Sequence, residues 1–172
     1  MVIKQLILAI VCIVIFLGCS SEPPPVTEIA RYNVDNLDGI ITQSNIEFDD
    51  SISSDGQGSI KITAPESTTV RLYETDDIDI ENARLIYRAK IKTEGFEGQT
   101  YLEMYCGFTG EGEFFARDLM SPVSGSVDWT TEEIYFMFKK DQNPNFIKLN
   151  LVIAGTGTVW IDDIHLLKTA LN

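Results

Sequence analysis

The chain has 172 residues, 44% of them hydrophobic, and its 26 carboxylates against 13 lysines and arginines set a net charge of −13. That length suits one well-buried domain rather than two. The acidity argues against nucleic acid or anionic lipid headgroups as direct partners and is compatible with a neutral polymer, a cation, a basic protein, or simply the solubility of an exported protein.

In chain order the first element is a charged start at Lys4 followed by an unbroken apolar run from Leu6 to Leu17, then Gly18-Cys19. The run is shorter than the ~20 residues a spanning helix needs and falls in the range of a secretory signal core. Ending on Gly18-Cys19, it is similar to the signals of bacterial lipoproteins. That resemblance implies cleavage before Cys19, acylation of its thiol and amine, and, with Ser20 following, outer-membrane sorting. The alternative is that the segment at 1–18 stays on as an N-terminal anchor. Both readings put the remainder in the cell envelope, facing the periplasm or the exterior. Two or three acyl chains are what a stable lipid anchor requires, since each buried methylene adds only ~0.8 kcal/mol. Residues 19–28 contain Pro23-Pro24-Pro25 and read as an extended tether.

From residue 29 to 169 the pattern is strand, turn, strand. Apolar and polar residues alternate over 58–63, 69–73, 83–92, 101–106, 132–138, 146–153 and 158–167. Turn chemistry separates these runs at 55–58, 64–66, Glu94-Gly95, 107–112, 143–145 and Gly155-Thr156-Gly157. The expected fold is therefore all-β: an antiparallel β-sandwich of the jelly-roll kind in a single domain. With Cys12 in the signal and Cys19 as the lipid site, Cys106 is left alone, so no disulfide forms within the domain and packing must hold it. Flanked by Leu102 and Met104 on its own side of a strand, Cys106 reads as a small buried hydrophobe.

Strand parity sorts the side chains. Val70, Leu72, Leu85, Tyr87, Ala89, Ile91, Leu102, Met104, Cys106, Ile134, Phe136, Phe138, Ile147, Leu149, Leu151 and Ile153 form the expected core. The opposite positions carry Tyr73, Arg88, Tyr101, Glu103, Tyr105, Tyr135 and Asn150. Aromatic rings lie against the C–H faces of pyranoses and planar polar groups take hydroxyls in pairs, so this set is the candidate glycan-binding face. The alternative is an ordinary solvated sheet, where tyrosine and charged residues also collect. Phe108, Phe114 and Phe115 lie in the Gly-rich stretch 107–117, where they either fold back to close one end of the sandwich or present an apolar patch to a partner.

Three stretches carry a family resemblance: Ser53-Ser-Asp-Gly-Gln-Gly-Ser-Ile-Lys-Ile62, Trp129-Thr-Thr-Glu-Glu-Ile-Tyr-Phe136, and residues 148–167 with Ile161-Asp-Asp-Ile164 near their end. They resemble galactose-binding-domain-like jelly rolls, a fold shared by many carbohydrate-binding modules. The resemblance implies a closing hairpin over 148–167 and a structural calcium held by Glu47, Asp55 and Asp163 with carbonyls of Ser53 and Gly58. Carboxylates on a tight glycine turn suit that ion. The competing reading is that Asp162 and Asp163 bond neighbouring backbone and cap the sheet edge.

Catalysis is not indicated. His165 is the single histidine, no G-x-S-x-G elbow is present, and no carboxylate pair stands out. Two functions remain: a non-catalytic, membrane-tethered module for a glycan or other polymer, or an accessory subunit docked on the outer face of a membrane protein complex.

Overall fold

Alternating residues over 83–92 and over 101–106 belong to one strand, not two. The computed structural model, which describes residues 24–76 and 78–171, contains β1 (Val26–Tyr32), β2 (Ile46–Asp49), β3 (Ser59–Ala64), β4 (Thr68–Asp76), β5 (Ala83–Phe108), β6 (Gly112–Arg117), β7 (Val127–Phe138) and β8 (Phe146–Ala170). No helix occurs among the described residues. The readings of residues 1–18 and of Cys19 lie outside them. β5 and β8 pair antiparallel along nearly their whole lengths, from Ala83 opposite Ala170 to Gly107 opposite Phe146.

This ribbon bends sharply where turns were expected. A Cβ on Gly98 would lie 2.3 Å from the Ala154 carbonyl oxygen, and one on Gly155 would lie 2.1 Å from that of Glu97. Only glycine lets the two backbones approach so closely at the corner. The glycines therefore bend a continuous ribbon instead of ending its strands, and the expected closing hairpin over 148–167 is a single bent strand.

The bend makes two layers. In the first, residues 83–94 of β5 lie between β7 and residues 158–170 of β8, whose far side takes β1 and β3, with β2 beyond β3. In the second, residues 97–108 of β5 lie between β6 and residues 146–153 of β8, with β4 outside. Between the layers sit Leu85, Tyr87, Ala89 and Ile91 from one and Leu102, Met104, Cys106, Leu149, Leu151 and Ile153 from the other, all buried as parity predicts. Each such aliphatic or aromatic side chain contributes on the order of 1.5–3 kcal/mol. Tyr32 stacks on Tyr73 at 4.1 Å and Phe108 meets Phe138 at 6.0 Å across the gap. Burial pushes the Cys106 thiol up to about 12, as befits an inert packing residue.

Several expectations need correction. Pairing starts at Val26, opposite Thr169, so the domain begins inside the stretch read as tether. Residues 112–117, read as a flexible loop for their glycines, form β6 against β5. Phe136 is half-buried at the margin of the core.

Candidate functional site

Parity along β5 and β8 turns a compact set of side chains outward from the second layer. Register places Arg117, Glu103, Asn150 and Arg71 side by side across β6, β5, β8 and β4. The next row is Phe115, Tyr105, Lys148 and Glu74; on the other side Tyr101 faces Val152. Four of the seven expected ligand residues, Tyr101, Glu103, Tyr105 and Asn150, thus share one face.

The centre of this face is unusual because its polar groups are shielded. Glu103 and Asn150 are each only 5% exposed although they point away from the core. Arg117 Nη2 lies 2.9 Å from Glu103 Oε2, and Asn150 Nδ2 donates to Glu103 Oε1 at 3.3 Å. Asn150 Oδ1 and Arg117 Nε remain buried without a partner among the described residues. Burying a carboxylate and an amide costs free energy that hydrogen bonds must offset, and the two orphaned atoms leave that compensation incomplete. Aromatic rings surround the row. Phe115 lies 5.7 Å from the Tyr105 ring with the Arg117 guanidinium 4.1 Å above it, and Lys148 Nζ sits 4.6 Å over Phe146. Phe146 in turn fills the place of a side chain at Gly107, where a Cβ would fall 2.1 Å from its ring. Cations therefore cover Phe115 and Phe146, while no cation lies over Tyr101 or Tyr105 among the described residues. Half-buried tyrosine rings free of cations beside a carboxylate and an amide are the elements of polyol recognition.

The other expected ligand residues lie elsewhere. Arg88 and Tyr135 face outward from the first layer, Arg88 ion-paired with Glu133 and Tyr135 beneath the Arg84 guanidinium at 4.9 Å. Tyr73 is in the core, 7% exposed. A bulge between Arg71 and Tyr73 inserts Leu72 as an extra residue, so Tyr73 sits opposite core residue Leu149 and its parity is reversed. Arg117 belongs to the face and was missed, and Phe115, expected to close one end of the sandwich or to contact a partner, belongs to it as well. Their signal was the alternation hidden by the glycines of 107–112. Of the three phenylalanines, Phe108 packs on Phe138, Phe114 leans edge-on against Phe108 and stays half-exposed, and Phe115 lies on the outer face.

The residues proposed for calcium do not fit the ion. Glu47 pairs with Lys61 at 2.7 Å. Asp55 accepts from its own loop, from the Ser53 hydroxyl and the Gln57 N–H. Asp163, at φ +50°, turns toward Arg31, Lys90 and His165. The neighbouring Asp162 is the one that meets the 53–57 turn, and its oxygens accept from the Ser54 and Asp163 N–H groups. Among the described residues no group of three His, Cys, Asp or Glu is placed to hold a metal. His165 lies between Glu28 and Asp163, at 2.7 and 2.8 Å, tying β1 to β8.

No protein-family model matches the chain, and no curated protein matches it. Solved structures do resemble it. The CBM22-1 xylan-binding domain from Paenibacillus barcinonensis Xyn10C superposes with a TM-score of 0.59 at 10% identity, covering 89% of this chain and 100% of that one. The tandem CBM22-1–CBM22-2 domain of the same enzyme gives 0.62 at 9% identity, covering 88% of this chain and 47% of that one. The CBM22-1–GH10 modules of Clostridium thermocellum xylanase 10B, complexed with xylohexaose, give 0.61 at 16% identity, covering 84% of this chain but only 29% of that chain. At such identities the likeness is one of fold. The chain is an all-β, antiparallel sandwich of the architecture seen in carbohydrate-binding modules.

Proposed function

We infer that this protein is a non-catalytic binding module that holds a glycan or similar neutral polymer across the outer face of its second layer. The observation that carries the reading is the shielded row Arg117, Glu103 and Asn150 set between rings, with a carboxylate at its centre. Tyr101 and Tyr105 supply apolar faces, and Glu103 with Asn150 supplies the groups for hydroxyls. Its general fold likeness to xylan-binding modules supports this reading, and the net charge of −13 favours a neutral over an acidic polymer. The apolar run ending at Gly18-Cys19 adds export and tethering through Cys19 or an N-terminal helix, so that the module works in the cell envelope.

Affinity electrophoresis of the full chain in mild detergent, through gels containing xylan, mixed-linkage β-glucan, galactan or no polymer, tests the reading. At least one gel should retard the protein, and Tyr101→Ala and Tyr105→Ala should abolish the shift while Tyr135→Ala leaves it. Equal mobility in all gels would overturn it. The accessory-subunit reading has its own support in the exposed side chains of Leu119 and Met120 beside β6. A stoichiometric membrane partner in native purification would bear it out.

A further inference from the structure

The two layers present five outer edges among the described residues, and four of them are blunted. β1 is interrupted by an irregularity between Glu28 and Ala30 and carries Glu28 and Arg31. β2 is four residues long and carries Glu47 and Asp49. β6 is six residues long and carries Glu113 and Arg117. The outer edge of β4 is covered by residues 41–42, whose N–H groups donate to the Leu72 and Arg71 carbonyls at 3.1 and 3.0 Å. β7 differs. It runs for twelve residues, contains no proline, pairs among the described residues only with β5, and carries five consecutive apolar residues from Ile134 to Phe138. Residues 116–118 come beside 133–135 across a cleft of about 250 Å³ but form no backbone ladder with them. An edge of this length and hydrophobicity is a template for another strand, and natural proteins either guard such edges or use them.

The sequence of this edge is complementary to its own reverse. Glu132-Glu-Ile-Tyr-Phe-Met-Phe-Lys-Lys140 places two acids before the apolar run and two lysines after it. Antiparallel pairing with a second copy about Phe136 sets Glu133 opposite Lys139, Tyr135 opposite Met137 and Ile134 opposite Phe138, with Glu132 and Lys140 beyond. Each pair shares a face, as a pleated sheet requires. Sliding one copy by two residues in either direction leaves the acids and lysines unmatched, and a one-residue slide puts core-facing beside solvent-facing positions. Tyr135 and Met137 are each 56% exposed on the outward side. Lys139 and Lys140 are exposed and make no ion pair among the described residues.

The geometry points to β7 as a homodimer interface, in which two copies join their first layers into one continuous sheet through an antiparallel β7–β7 pair with its two-fold axis at Phe136. Such a contact is isologous and closes on itself, which converts an open-ended edge hazard into a defined dimer. A ribbon of this size buries less than the ~1,200–2,000 Å² of stable interfaces, so the dimer is weak and concentration-dependent. Two copies would also present two tyrosine faces to one polymer and bind it with avidity.

The test is sedimentation velocity of the full chain in mild detergent over a concentration series, with Glu133→Lys, Lys139→Glu and the double variant. Wild type should shift from monomer toward dimer as concentration rises. Each single reversal puts like charges opposite twice per dimer and should weaken association roughly fivefold or more. The double variant should restore it. Near-ultraviolet circular dichroism confirms that each variant is folded, because Glu133 also pairs with Arg88. A monomer at all concentrations, or association indifferent to the single reversals, overturns the proposal. Loss in both single variants without rescue in the double overturns the register. Failure of polymer binding in the electrophoresis experiment would leave this result untouched.

Discussion

Glu103 is the residue at which the candidate face and the stability of the second layer can be measured together. Glu103→Gln keeps the shape of the side chain and removes its charge. The carboxylate holds Arg117 at 2.9 Å and receives the Asn150 amide at 3.3 Å while 5% exposed. A hydrogen bond to a charged partner contributes about 1.5–3 kcal/mol. Arg117 keeps 28% of its side chain in solvent, which recovers part of the loss. The net cost is then roughly 1–2 kcal/mol, or a melting temperature lower by roughly 2–8 °C for a chain of this size. Glu47→Gln is the control, because Glu47 pairs with Lys61 at 62% exposure and its loss should fall within about 0.5 kcal/mol. Binding is read by isothermal titration with xylohexaose, or with an oligosaccharide of whichever polymer retards the wild type. A neutral amide at this position should weaken binding about tenfold, since charge-assisted hydrogen bonds are roughly twice as strong as neutral ones. If Glu103→Gln melts with Glu47→Gln and binds like wild type, Glu103 is neither shielded nor part of the site, and the reasoning fails at its centre.

Two further predictions test the frame around that face. Gly98→Ala should cost about 2–3 kcal/mol, because its Cβ would meet the Ala154 carbonyl at 2.3 Å in a backbone at φ +131°. Gly56→Ala, also at positive φ but with open space around it, should shift the urea midpoint less, and equal shifts would mean that the corner is not close-packed. The acid limb of stability should depend on Asp49, whose carboxyl is held at about 2, below its ordinary 3.8, first by the Ser51 hydroxyl and then by the Trp160 indole N–H. A depressed folded value means that this contribution is present above pH ~4 and disappears as pH falls toward 2. Asp49→Asn should flatten the melting temperature between pH 4 and 2 relative to wild type, and an unchanged slope there would remove Asp49 from the acid response.

Strand parity is a local property, and the chain displays it openly. Leu85, Tyr87, Ala89, Ile91, Leu102, Met104 and Cys106 could be assigned to the core from alternation alone, because each side chain's face follows from its immediate neighbours in an extended backbone. The same alternation put Tyr101, Glu103, Tyr105 and Asn150 on one outer face. The all-β class and the buried Cys106 were legible for the same reason. Tertiary structure decided what depends on contacts distant in sequence. The bulge at Leu72 reverses Tyr73 because β4 must keep its register against β8. Gly98 and Gly155 bend rather than end their strands because each lies against the other's backbone. That bend sends Arg88 and Tyr135 to a different layer from Tyr105, brings Arg117 to Glu103, and separates Glu47, Asp55 and Asp163 among other partners. Alternation states which way a side chain points, but only the pairing of strands dozens of residues apart states what it points beside.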